Sequence, residues 1–224
     1  FPAALHNQRG VRSSLASGAG KGRGKESNTQ PRMTSCKDAI KAFDAAQAAK
    51  EPPEPGHAEC TVVKLTFLQP PIQKMDPGLK ELAHVEQLSM STNQIERIAN
   101  LNGFKNLKIL SLGRNNIKSF AGLEQVADTL ESLWISYCNL EKMKGISVLK
   151  KLKVLYMANN KVKDWKEFEA LKDLPCLEEL NFVGNPLEQK HSEDGDWVAQ
   201  VQQRLPNLKK MDGIPLVSDE PAAE

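Results

Sequence analysis

Apolar residues along this chain recur in a long repeat that mixes two short periods. The repeat reads apolar-x-x-Leu-x-apolar-x-x-Asn-x-apolar-x-x-apolar. Val85, Leu88, Met90, Asn93, Ile95 and Ile98 fill it, and so do Leu107, Leu110, Leu112, Asn115, Ile117 and Phe120. Leu152, Leu155, Met157, Asn160, Val162 and Trp165 give another copy, and Leu177, Leu180, Phe182, Asn185 and Leu187 a shorter one. Leu130, Leu133, Ile135, Cys138, Leu140 and Met143 match with Cys in the Asn position. A weaker first copy aligns Val62, Leu65, Phe67, Pro70, Ile72 and Met75. The anchor leucines 65, 88, 110, 133, 155 and 180 are spaced by 23, 22, 23, 22 and 25 residues. Self-similarity at such a period is the signature of a stacked repeat architecture.

The Leu-x-apolar segment alternates with period two, so it is a short strand with one face inward. The apolar residues after the Asn turn the chain back beneath the strand. A single coil cannot bury its own apolar face, so each is stable only against its neighbours. The pattern therefore predicts an α/β leucine-rich-repeat solenoid of six repeats. Its strands form a parallel sheet on one face, and helical caps close both ends. Asn93, Asn115, Asn160 and Asn185 fall where the chain leaves each strand. They form a structural ladder whose amides satisfy turn backbone. Cys138 is small enough for that position but is a weaker hydrogen-bonding partner.

Five segments follow. Residues 33–60 form an N-terminal helical cap and linker. Ser35-Cys-Lys-Asp38 is a helix start, Ala39, Ile40 and Phe43 share a face, and the Pro-rich stretch from Glu51 ends the helix near residue 50. Residues 61–190 hold the repeats, and 191–217 form the C-terminal cap. In that cap Trp197, Val198, Val201 and Leu205 sit at helical spacing, and Leu208 to Gly213 reads as a last strand. Residues 218–224 form an acidic tail. Residues 1–32 read as a disordered basic tail or a non-native extension ahead of Met33. Six Lys and Arg against one acid set that segment apart, and leave the remainder at a net charge of −3. A general nucleic-acid surface is not indicated. Cys36, Cys60, Cys138 and Cys176 form no CxxC pair, so neither a zinc site nor a disulfide scaffold is expected, and a reducing compartment fits. No apolar run is long enough to span a bilayer.

The outward positions of the strands carry the candidate chemistry. The central column reads Thr66, Ser89, Ser111, Trp134, Tyr156 and Asn181, and the column before it begins at Lys64. Trp134 and Tyr156 thus stand on adjacent strands. Ile109, Val154, Ala158 and Val183 surround them, Ser111 and Ser136 leave room for close approach, Tyr137 lies nearby, and Arg114 supplies a polar edge. Aromatic anchors inside a polar rim resemble the core of a protein interface. Trp165 is expected in the repeat core and Trp197 in the cap. The histidines are dispersed: His57 follows a Pro-rich linker, His84 falls between repeats and His191 in the C-terminal loop. No catalytic grouping, metal site or cofactor site emerges.

From Met33 to about Ser218 the chain resembles the leucine-rich-repeat light chains of axonemal outer-arm dynein. Pro70-Pro-Ile-Gln-Lys-Met-Asp76, Leu88-Ser-Met-Ser-Thr-Asn93, Asp128-Thr-Leu-Glu-Ser-Leu-Trp-Ile-Ser-Tyr137, Val154-Leu-Tyr-Met-Ala-Asn-Asn160, Phe182-Val-Gly-Asn-Pro-Leu-Glu188 and Leu208-Lys-Lys-Met-Asp-Gly213 carry the resemblance. It implies a non-catalytic, monomeric subunit of a larger motor complex in the ciliary or flagellar axoneme. It implies that the sheet patch binds the dynein heavy chain at the microtubule-binding tip of its stalk and modulates the grip on the microtubule. It further implies that Arg204, Lys209 and Lys210 face tubulin, with neither nucleic acid nor membrane as partner. The alternative is a leucine-rich-repeat regulatory adaptor associated with a phosphatase or a ribonucleoprotein.

Overall fold

The computed structural model describes residues 34–216. The tails expected at 1–32 and 218–224 lie outside the described residues. Helix α1, Cys36–Ala48, starts at Ser35, whose side chain accepts a hydrogen bond from the Asp38 N–H. Cys36, Ala39 and Ile40 on its inner face are buried against the first coil. The Cys36 N–H donates to Asp76 Oδ2 at 2.7 Å, which ties the cap to the repeats. Burial pushes the Cys36 thiol up to about 12, so it is an inert packing group.

Six strands then stack in sequence order, all parallel: β1 Val62–Lys64, β2 Gln87–Ser89, β3 Ile109–Ser111, β4 Ser132–Trp134, β5 Val154–Tyr156 and β6 Glu179–Asn181. The predicted leucine-rich-repeat solenoid with a parallel sheet on one face is the observed fold. Leu88, Leu110, Leu133, Leu155 and Leu180 are directly paired across it and fully buried. Short 3-10 turns, such as Leu123–Val126 and Ile146–Val148, return the chain beneath the sheet. Gly122 makes one such return possible. It has φ +101°, and a Cβ there would sit 2.1 Å from the Ile98 carbonyl oxygen.

The first coil departs from the sequence alignment. Val63, not Leu65, pairs with Leu88, so the strand is shifted by two residues. Ile72 keeps its aligned place, because its N–H donates to Asn93 Oδ1 just as Ile95 donates to Asn115. The extra length is absorbed between Leu65 and Ile72. The central outward residue of β1 is therefore Lys64 rather than Thr66, and Phe67 turns out to solvent instead of filling the core.

Each ladder Asn bridges two coils. Asn115 Oδ1 accepts from the Ile95 N–H at 2.9 Å, while its Nδ2 donates to the carbonyls of Met90 and Leu112 at 3.0 and 2.8 Å. Asn93 and Asn160 do the same for Ile72, Leu65 and Met90, and for Leu140, Ile135 and Met157. Asn185, fully buried, serves Val162, Met157 and Phe182. Cys138 keeps weak thiol contacts to the Leu112 and Ser136 carbonyls, at 3.5 and 3.8 Å. Burial holds its pKa above the usual thiol value.

At the edge of the sheet a charge ladder runs along the solenoid. Glu86, Lys108, Glu131, Lys153, Glu178 and Lys209 each sit two residues before an inward anchor and alternate in sign. Glu86–Lys108, Glu131–Lys153 and Glu178–Lys209 form ion pairs at 2.9, 2.8 and 3.0 Å. These exposed pairs add little stability one by one, but the alternation avoids like charges across coil boundaries.

The C-terminal end is closed by α2 Trp165–Phe168, α3 Pro186–Glu193, α4 Trp197–Arg204, β7 Lys210–Met211 and an antiparallel β8 Ile214–Pro215. Trp165, Phe168, Phe182 and Trp197 form a contiguous aromatic cluster with centroids 5.2–5.7 Å apart. Asp212 takes over the closing role at the last coil. Its carboxylate accepts from the Phe182 and Val183 N–H groups and from Trp197 Nε1. Two expectations are corrected here. Val198 is exposed, because Trp197, Val201 and Leu205 already fill the inner face of α4. His191 lies on α3 rather than in a loop, since Pro186 opens a helix directly after Asn185.

The ladder generates a paired prediction. Asn185→Ser removes the reach to three backbone groups and should destabilise by about 1–3 kcal/mol. Faster hydrogen exchange should concentrate from Leu177 onward. Cys138→Asn should act oppositely, raising stability by about 1 kcal/mol as it completes the ladder. Thermal melts and exchange mass spectrometry check both, and an unchanged Asn185→Ser protein would remove the ladder from its place in the fold.

Candidate partner-binding face

Strand alternation puts four outward columns on the sheet. In register they read Val62, Gln87, Ile109, Ser132, Val154 and Glu179; then Lys64, Ser89, Ser111, Trp134, Tyr156 and Asn181; then Thr66, Ser91, Gly113, Ser136, Ala158 and Val183. The fourth column, at the strand exits, is Phe67, Thr92, Arg114, Tyr137, Asn159 and Gly184, all with positive φ. A left-handed residue there turns every coil downward.

The structure brings Trp134 and Tyr156 together. Their rings stack with centroids 6.0 Å apart and planes at 16°. Trp134 remains 37% exposed, Tyr137 54% and Val183 43%. Ile109, Ser136, Val154, Tyr156 and Ala158 are half-buried, Arg114 is exposed, and Ser111 is buried in the floor. The small residues are themselves tied down. Ser91 and Ser111 share a hydroxyl hydrogen bond of 2.8 Å, and Ser136 Oγ accepts from the Ala158 N–H. Arg114 lies over the Tyr137 ring at 5.2 Å, a cation–π contact at the rim.

A polar chain extends the patch toward the C-terminus. Tyr156 donates its hydroxyl to Glu179 Oε1 at 2.5 Å, and Lys210 pairs with the same carboxylate at 2.9 Å. The Tyr156 hydrogen bond, and then Lys210, hold the Glu179 carboxyl below its usual range, while the Glu179 contact raises the Tyr156 phenol. Beside Tyr156, Asn181 Oδ1 is buried and accepts no hydrogen bond among the described residues.

Arg204, Lys209 and Lys210 do not form one cluster. Arg204 folds inward, with its guanidinium 3.9 Å from the Trp165 ring and Nε 3.2 Å from Glu169. Lys209 closes the charge ladder and Lys210 belongs to the sheet face. The histidines serve as local ties. His57 Nδ1 meets Asp44 Oδ2 at 2.7 Å, and His84 Nε2 meets the His57 carbonyl. His191 accepts from Trp165 Nε1 and contacts Asp196 through Nδ1. His191, Asp194 and Asp196 bring three possible metal-ligand atoms within 4.8 Å, but both His191 nitrogens are already engaged. Phe67 was missed as an outward residue because Leu65 matched the anchor pattern better than Val63 did.

Comparison with known proteins gives a consistent set of likenesses. A family model for the NXF1/2/3/5 leucine-rich repeat domain matches residues 130–213. Dynein axonemal light chain 1 of Danio rerio is 63% identical over 166 residues, covering 74% of this chain and 86% of the relative. The Homo sapiens protein of that name is 61% identical, covering 71% and 84%. The Chlamydomonas reinhardtii protein is 49% identical, covering 84% and 94%. Among solved structures, an internalin of Listeria monocytogenes superposes with a TM-score of 0.53 at 22% identity, over 69% of this chain and 41% of the other. That similarity shows the fold alone.

The Tyr156–Glu179–Lys210 chain sets a pH dependence. A carboxyl with a depressed folded pKa contributes stability above its unfolded pKa, and that contribution is lost as pH falls through the folded value. The stability gap between the wild type and Glu179→Gln should be full at neutral pH and shrink below the ordinary glutamate range. Denaturant melts across the acid range check this, and a gap that grew on acidification would exclude the arrangement.

Proposed function

The chain belongs to the dynein axonemal light chain 1 family, and from that premise we propose that it is a non-catalytic light chain of ciliary outer-arm dynein. It docks through its sheet face on the heavy chain at the microtubule-binding tip of the stalk, and there modulates how the motor engages the axonemal microtubule. The observation that carries this reading is the stacked, outward Trp134–Tyr156 pair inside a half-buried apolar ring. An apolar patch ringed by polar groups on a folded domain marks an interaction site. Amphipathic aromatics bury large areas while keeping a polar tip available. A solenoid face built from side chains already tied to one another also loses little conformational freedom on binding.

Of the three basic residues connected with tubulin, Lys209 is the most available. Its side chain is 71% exposed, whereas Arg204 is engaged by Trp165 and Glu169. We therefore assign Arg204 to the cap and leave tubulin contact to Lys209 and Lys210. The reading as a ribonucleoprotein adaptor draws on the NXF1/2/3/5 match at residues 130–213. RNA recognition favours bases stacked between aromatics with cations alongside. Here the central column offers only Lys64, three coils away from Trp134, with Lys210 at the far end.

Trp134→Ala with Tyr156→Ala should weaken binding to the heavy-chain stalk tip by about 2 kcal/mol or more for each anchor. The circular dichroism spectrum and a cooperative melt should persist, because Leu133, Ile135, Leu155 and Met157 hold these coils from within. Lys150→Ala with Lys151→Ala, outside the outward columns, should bind normally. Wild-type affinity in the double aromatic variant would rule the sheet out as the interface, and unfolding would make the pair structural. Retained binding to RNA alone would favour the adaptor.

A further inference from the structure

Between β1 and β4 the sheet face is not flat. The two coils in the middle form a low floor of small residues, the buried Ser89 and Ser111 and the half-buried Ser91 and Gly113. The coils on either side raise walls: Phe67 on one, Trp134 and Tyr137 on the other. The result is an open trough of about 540 Å³. Neighbouring strands lie about 4.8 Å apart, so the backbones of its two walls are about 14 Å apart. A helix with its side chains is about 10–12 Å across. The trough therefore takes one helix.

Its charge is one-sided. Lys64 and Arg114 line it, no carboxylate does, and among the described residues neither cation is in an ion pair. Phe67 adds an independent sign. It is 73% exposed and is held at φ +57°. The equivalent positions of the later coils, Thr92, Arg114, Tyr137, Asn159 and Gly184, share this conformation. With Tyr137 and Trp134 opposite, Phe67 leaves exposed aromatic surface on both walls of the trough.

We propose that this trough is a second subsite of the sheet face, shaped for one acidic amphipathic helix of the protein partner. An apolar side chain of that helix seats between Phe67 and Trp134, and carboxylates flanking it meet Lys64 and Arg114. The inference rests on the sheet being the docking face and adds the chemistry of what docks there.

The test uses the purified chain and a heavy-chain stalk-tip fragment as probe. Lys64→Glu with Arg114→Glu should weaken binding about tenfold or more and flatten its salt dependence. Phe67→Ser should weaken it comparably without lowering the melting temperature. Ser91→Trp, which fills the floor, should do the same. A photoreactive phenylalanine analogue at Phe67 should crosslink to an acidic helical segment of the probe. If the charge-reversed protein binds like wild type while Trp134→Ala with Tyr156→Ala does not bind, the trough is empty and this inference falls alone. If neither variant loses binding, the docking face falls with it. A crosslink to a basic or extended segment, or tighter binding after charge reversal, also overturns it.

Discussion

The buried amide that closes each coil is the interaction on which the rest depends. A strand of three residues cannot hold itself, and a solenoid repeat has no stable form alone. Asn93, Asn115, Asn160 and Asn185 each connect a carbonyl of their own coil, a carbonyl of the coil before, and an N–H of the turn beneath. An amide offers donors and an acceptor from one planar group, which neither a hydroxyl nor a thiol reproduces with that reach. Cys138 shows what the fold tolerates when neighbours on both sides are complete.

Closure at the ends follows from the same requirement. In earlier coils the N–H two residues after the anchor donates to a carbonyl of the next strand, as Met157 does to Asn181, and at the last coil the Phe182 and Val183 N–H groups turn to a side chain instead. Asp212 supplies the missing acceptor and, through Trp197 Nε1, fastens the terminal helix to it. At the other end Asp76 receives the first N–H of α1. Buried backbone donors are rarely left unpaired, and both caps are built around that constraint. The aromatic cluster over Phe182 then covers the apolar end that stacking leaves exposed.

Much of this was legible in the chain because the repeat fixes two periods at once. The anchors at 88, 110, 133, 155 and 180 and the four Asn positions define coil, strand and inward face together. The first coil was less legible for a physical reason. Val63, Leu65 and Phe67 have the same parity, so a slip of two residues leaves the buried face unchanged, whereas a slip of one would reverse it. Only the longer connection to Ile72 distinguishes the registers, and periodicity carries no information on connection length. Helix α3 was hidden similarly, because Asn185 reads as a ladder residue while also preceding Pro186 at a helix start. The Glu/Lys alternation at the sheet edge was present in the aligned repeats but lies outside the Leu/Asn framework. The outward patch could be located from the columns. The Trp134–Tyr156 stack and the Glu179–Lys210 extension depend on rotamers that no spacing encodes.

Because closure is done from beneath, the outward columns are released from holding the coils together. Their side chains can be large, small or charged without altering the register. This explains how Ser111 and Trp134 occupy paired positions in one sheet. The freedom is not the same as looseness. Trp134 rests on Tyr156, Tyr156 is held by Glu179, Glu179 is held by Lys210, and Arg114 lies over Tyr137. Each contact restricts a side chain before any partner arrives, so the ordering cost of association falls chiefly on the partner. A face that is rigid, contoured and not needed to close the coils can be matched to one surface through its columns alone. The stability of the solenoid and the specificity of its sheet are thereby written in different residues of the same repeat.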